Sequence, residues 1–205
     1  MYLSKLTISS PGKVIRDIEF HKGLNLIVDE TPENTTGTGN NVGKTTVLRL
    51  IDYCLGGDVD GIYRNPENKH ESYALVKDSL IGNNVIVTLI LVDDLDTPSK
   101  KVVIERDFKT GRSSLIRING KNVTRKDFVA ELESAIFPEV KTETPSFRQI
   151  IAHNIRIDNL RLENTLKTLT MGKNEEYEAL YLFMFGCPND SAARKTQLAQ
   201  ELDTE

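Results

Sequence analysis

Apolar and polar positions alternate through Tyr2–Ser9 and again through Val14–Phe20, predicting two strands joined by a turn at Ser10-Pro-Gly-Lys13. After a second turn at His21-Lys-Gly23, the run Leu24–Val28 reads as a buried third strand. The pattern then lapses. Glu30–Gly37 is polar and aperiodic, longer than a simple loop requires. A helical period begins after Gly43, where Val47, Leu50, Ile51, Cys54 and Leu55 recur at i, i+3, i+4 and i+7 until Gly56-Gly57 stops the helix.

Asp58–His70 has loop composition, and alternation resumes over Asn84–Val92, Lys101–Phe108 and Ser114–Ile118. Asn119-Gly120 is a hairpin turn leading to a short strand at Lys121–Val123. Thr124 is placed to cap a helix over Arg125–Phe137, with Phe128, Val129, Leu132 and Ile136 on one face and Pro138 at its end. Beyond Pro145 the periods are helical: Phe147–Ile155, then Glu175–Phe185 capped by Asn174, then Ala192–Leu202. The last is polar almost all round, with Leu198 and Leu202 four apart, and reads as the root of a coiled coil or linker helix.

The chemistry sits between the third strand and the first helix. Residues 38–46 read Thr-Gly-Asn-Asn-Val-Gly-Lys-Thr-Thr, so a glycine-bearing loop ends in Gly-Lys-Thr at a helix start. Such a loop turns backbone N–H groups onto phosphate oxygens, and the helix adds its positive end. The expected nucleotide-binding residues are Gly39, Asn40, Asn41, Val42, Gly43, Lys44, Thr45 and Thr46. Lys44 would reach the β- and γ-phosphates, and the Thr45 hydroxyl would join the Mg²⁺ shell. The first glycine of the usual pattern is replaced by Thr38, with glycines on either side at Gly37 and Gly39. This shifts the expected bend onto Gly39 and the two asparagines, which tolerate left-handed backbone.

Composition changes the picture little. At 205 residues, 39% apolar and 27% charged, the chain suits one large or two small globular units. No apolar run approaches the roughly 20 residues that span a bilayer, and the expected compartment is the cytoplasm, with no membrane partner. Two cysteines, Cys54 and Cys187, and three scattered histidines argue for reduced thiols and against a metal cluster. The net charge of −4 gives no general attraction to nucleic acid. Locally, Thr97–Lys126 carries nine basic residues against two acids, a net of +7, which fits either a solvated sheet face or a phosphate backbone. Lys100, Lys101 and Arg106 are the candidate nucleic-acid contacts.

A self-contained hydrolase also needs acids at the end of an apolar strand. Val87–Asp94 supplies the one look-alike, with Asp93 as metal-side acid and Asp94 as base. Thr97-Pro98 and another alternating strand follow, as in a meander, and paired aspartates are common turn formers. The expectation is therefore that the isolated chain hydrolyses ATP negligibly. The alternatives are a self-contained P-loop NTPase or small kinase using Asp93 and Asp94, and a non-hydrolysing nucleic-acid interaction module.

The order of a β-hairpin, a strand ending in Gly-Asn-Asn-Val-Gly-Lys-Thr, a β-rich lobe, a Gln-bearing segment and a helix running outward resembles the N-terminal half of SMC-like ABC ATPases. That group contains RecN, RecF and the double-strand-break repair ATPases. Gly23–Ile27, Gly43–Leu55 and Leu182–Asn189 look most like YydD-type, SMC-like proteins. The resemblance implies an α/β P-loop NTPase, an ABC/SMC-type head, with an antiparallel β lobe and a C-terminal helix leading toward a coiled coil. It implies a nucleotide-binding lobe over 1–138, a helical lobe over 139–188 and a coiled-coil root over 189–205. It implies ATP and Mg²⁺ as ligands, with Gln149 in the place of the Q-loop glutamine that touches Mg²⁺ and the γ-phosphate. It further implies that the metal-binding acid, catalytic Glu, signature motif and switch His lie in a separate C-terminal ATPase half. ATP would be sandwiched in a homodimer acting on DNA in repair or defence.

Overall fold

The computed structural model describes residues 1–28, 43–65, 68, 70–138, 144–157, 159–169 and 172–187. Six strands form one antiparallel sheet: β1 (Tyr2–Ser10), β2 (Lys13–Glu19), β3 (Ile86–Val92), β4 (Lys101–Asp107), β5 (Ile116–Ile118) and β6 (Lys121–Asn122). Their order is β2-β1-β3-β4-β5-β6.

Register is set by one apolar phase. Ile18 faces Leu6, Leu6 faces Leu89, Leu89 faces Ile104, and Ile104 faces Ile118, a continuous row across five strands. Leu6, Leu89 and Ile104 are wholly buried. Slipping one strand by a residue would turn its share of this row to the other face, which is why the register is strongly specified. The opposite face is polar, with Asp17, Thr7, Thr88, Glu105 and Arg117 in register. Thr7 donates to Asp17 at 2.7 Å and Lys5 pairs with Asp17 at 2.7 Å.

Helix α1 (Lys44–Cys54) buries Leu50, Ile51, Tyr53 and Cys54 and packs against β3 and β4. Its end is a Schellman motif: Gly57 N donates to Asp52 O at 2.8 Å and Gly56 N to Tyr53 O at 3.2 Å, with Gly56 at φ 90°. A Cβ on Gly57 would stand 2.8 Å from the Asp52 carbonyl oxygen, a backbone contact that favours glycine there. Helix α2 (Ala74–Gly82) was not predicted. None of its residues is buried, so its sequence carries no apolar stripe against a polar face. Helix α3 (Phe128–Ile136) starts three residues later than its pattern suggests, because Thr124 and Asp127 close a turn first, with Asp127 N donating to Thr124 Oγ1.

The chain divides into two compact units, Met1–Ile136 and Phe137–Glu205. The second holds α4 (Phe147–Asn154), α5 (Asn159–Glu163) and α6 (Asn174–Met184). Phe137 stands edge-on to Phe147 and Phe183. The segment before α6 is tied down by tyrosines: Tyr181 donates to Leu166 O at 2.6 Å, and Tyr177 exchanges bonds with Leu169. Lys173 is the N-cap of α6, one residue earlier than the Asn174 cap expected, and its N–H donates to the Glu176 carboxylate at 3.0 Å. The predicted helix over Ala192–Leu202 lies outside the described residues.

One strand prediction is corrected. Leu24–Val28 forms no strand, and Leu24, Leu26 and Val28 are 76%, 72% and 65% exposed. The sheet is antiparallel, with β3, not this segment, beside β1. Leu24–Val28 therefore has the composition of an interior strand and no strand beside it among the described residues.

Candidate nucleotide-binding site

The site is built on the first turn of α1. Gly43 is its N-cap, at φ 80° and ψ 19°, a left-handed conformation that a side chain would strain. Gly43 O already accepts from Val47 N at 3.3 Å. The N–H groups of a helix's first turn have no acceptor within the helix, and here no side-chain cap bond and no acidic residue in that turn competes for them. Lys44 and Thr45 are exposed at this end, with Thr46 partly covered behind them. A positive helix terminus with an ammonium and a hydroxyl beside it suits a polyphosphate anion. Gly39, Asn40, Asn41 and Val42, the remaining expected contacts, lie outside the described residues.

The far end of α1 is held by Arg106. Its guanidinium donates to Tyr53 O and, at 3.1 Å, to Gly57 O, and it lies 3.7 Å from the Tyr53 ring centroid and 4.8 Å from that of Phe128. Tyr53 in turn stacks on Phe108 at 5.2 Å and donates its hydroxyl to Asp107 O. Burial pushes the Tyr53 phenol up to about 12, keeping it a donor, and does the same to the Cys54 thiol, which is thereby inert. Arg49 packs on Gly61 and donates to its carbonyl, while Arg64 pairs with Asp58 at 2.8 Å and Asp60 at 3.1 Å.

Arg106 requires a correction. Expected as a nucleic-acid contact, it is 4% exposed and turned into the core. The signal was present: alternation in β4 puts Arg106 in phase with Val102 and Ile104, on the row that joins Ile8, Val87 and Ile116. Lys100 and Lys101 are exposed.

Asp93 and Asp94 close the turn between β3 and β4. The Asp93 carboxylate accepts from Ser99 N at 3.0 Å, Lys100 N at 2.9 Å and the Ser99 hydroxyl. That hydroxyl, then the Lys100 amide, holds its pKa well below the usual carboxylate range. Asp94 accepts from Asp96 N and Thr97 N and lies 3.7 Å from Lys22. Gln149 is in the second unit, at the third position of α4, where its Oε1 accepts from Ser146 N at 2.8 Å in a capping box.

An AAA domain family matches residues 12–204, nearly the whole chain. The chain belongs to the AAA domain family. ATP is the nucleotide that family implies. The AAA domain is also similar to a solved chain described under ATP-driven dimerization and DNA-stimulated activation of SMC ATPases. That likeness has 19% identity and a TM-score of 0.41, covering 83% of this chain and 100% of the other. No curated protein matches. Among the described residues of the AAA domain, no helix is long and apolar enough to cross a membrane, and no His/Cys/Asp/Glu group could hold a metal ion.

Proposed function

We propose that this chain is the ATP-binding N-terminal half of an SMC-like ATPase head, completed by a C-terminal half that brings the catalytic acids. The observation that carries the reading is the exposed apolar segment Leu24–Val28, which precedes the candidate phosphate loop in the chain. In a P-loop fold that segment is an interior strand, and four exposed apolar residues in five are costly in water. Strands supplied by the C-terminal half would pair with it and cover it.

The chain's own residues bind and orient. The first-turn amides of α1 and the Lys44 ammonium would hold the triphosphate, and the Thr45 hydroxyl would join the shell of its metal. Bound Mg²⁺ would neutralise charge on the phosphate oxygens. Asp93 and Asp94 are committed to their turn, so the attacking water is activated by the other half. ATP sandwiched between two heads would then drive homodimerisation, and the exposed Lys100 and Lys101 would meet DNA in a repair or defence complex within the cytoplasm.

Turnover assays test the reading. The chain alone should bind MgATP without appreciable hydrolysis and gain turnover when co-expressed with the C-terminal half of its parent protein. Brisk turnover by the chain alone, abolished by Asp94→Asn, would overturn it.

A further inference from the structure

Arg106 is a buried cation that the phosphate loop does not use. It reaches from β4 to the carbonyl end of α1, at the opposite terminus from Lys44. The C-terminal end of a helix carries partial negative charge, and a cation there is stabilising. The plane of the guanidinium is fixed by two aromatic rings, Tyr53 from α1 and Phe128 from α3, so the charge cannot swing away. Its Nε is buried without a hydrogen-bond partner, a cost borne to keep the group in place. Three elements thus meet on one side chain: the sheet through β4, the phosphate helix, and α3.

We propose that Arg106 is a positioning residue for nucleotide binding, fixing the carbonyl end of α1 against the sheet and thereby the attitude of its phosphate-binding end. This rests on the nucleotide-binding reading of Gly43–Thr46. Helix α1 has 11 residues and is about 16 Å long. A rod of that length, released at one end, tilts and moves the amides of residues 44–46 at the other. Convergent hydrogen bonds to a phosphate lose strength over displacements of about 1 Å. Lysine would keep the charge but not the planar fork or the ring contacts.

The experiment is MgATP titration calorimetry on the chain and its Arg106→Met, Arg106→Lys and Lys44→Ala variants, each far below its own unfolding midpoint. A role in stability alone would lower the midpoint and leave the affinity of the folded protein unchanged. A positioning role predicts an affinity loss of about tenfold in Arg106→Met and of about threefold in Arg106→Lys, which keeps the charge but not the planar fork. Should Arg106→Met not fold, Arg106→Lys decides alone: about threefold weaker binding supports the role, and unchanged affinity overturns it. Unchanged affinity in a folded Arg106→Met also overturns it. If the unaltered chain binds no MgATP, the nucleotide reading itself falls. If it binds and only Lys44→Ala loses binding, Arg106 alone is misassigned.

Discussion

Arg106 donates to the carbonyl of Tyr53 while its guanidinium lies 3.7 Å from the centroid of that same residue's ring. One side chain therefore grips both the backbone and the ring of the residue next to the end of α1. The basic stretch between Thr97 and Lys126 is thus two populations, one structural and one exposed. Replacing Arg106 with Ala should destabilise the fold by about 2–4 kcal/mol, because the Tyr53 and Gly57 carbonyls each lose a charged donor and the packing on two rings is lost. Urea unfolding measures this. Lys100→Gln with Lys101→Gln should leave the midpoint unchanged.

If the two exposed lysines meet DNA, their neutralisation has a specific signature. The slope of log affinity against log salt should become shallower by about 2, since each phosphate contact contributes close to one unit. Fluorescence anisotropy with a DNA duplex at several salt concentrations reads it. An unaltered slope would remove Lys100 and Lys101 from the contact.

The sheet core centres on Leu89, wholly buried between Leu6 and Ile104. Leu89→Ala should cost about 3 kcal/mol in urea unfolding, the transfer term plus the cavity left behind.

Under the proposed pairing with a C-terminal half, the exposed segment gives a contrast between the chain alone and the complex. Leu26→Glu should leave the isolated chain as stable as before, since Leu26 buries little. The same substitution should abolish co-purification with the C-terminal half, because it places a charge in an interior strand.

Acidification should loosen the second unit through His153. Its ring is buried, hydrogen-bonded through Nδ1 to Thr168 Oγ1 at 2.7 Å and edge-on to Tyr181. Burial, then the charge of Arg156, lowers its pKa from the ordinary 6.5. The unfolded chain takes up that proton before the folded one does, so stability is full above about pH 6.5 and declines as pH falls toward the folded value. Denaturant unfolding followed by tyrosine signals at pH 7.5 and 5.5 should show the decline, and His153→Gln should flatten it.

Much of this was legible in the chain because local patterns agreed with the fold. The period of two placed β3 and β4 to within two residues, and Asn119-Gly120 fixed the last hairpin. The stripe through Leu50, Ile51, Cys54 and Leu55 with Gly56-Gly57 behind it defined α1. Where the reading failed, a non-local cause won. Leu24–Val28 has the composition of a buried strand, but pairing depends on neighbours that composition does not report. Arg106 was grouped by charge with its exposed neighbours, although its phase in the strand pointed inward. Helix α2 packs no buried face, so no periodicity betrayed it.

The account depends on a triphosphate held by the first turn of α1. Isothermal titration of the chain with ATP in magnesium, beside Lys44→Ala, tests that most directly. Saturable, magnesium-dependent binding that is lost in the folded Lys44→Ala variant is the predicted result. A folded chain that takes up no ATP under large ligand excess, or one in which Lys44→Ala binds equally well, would contradict it.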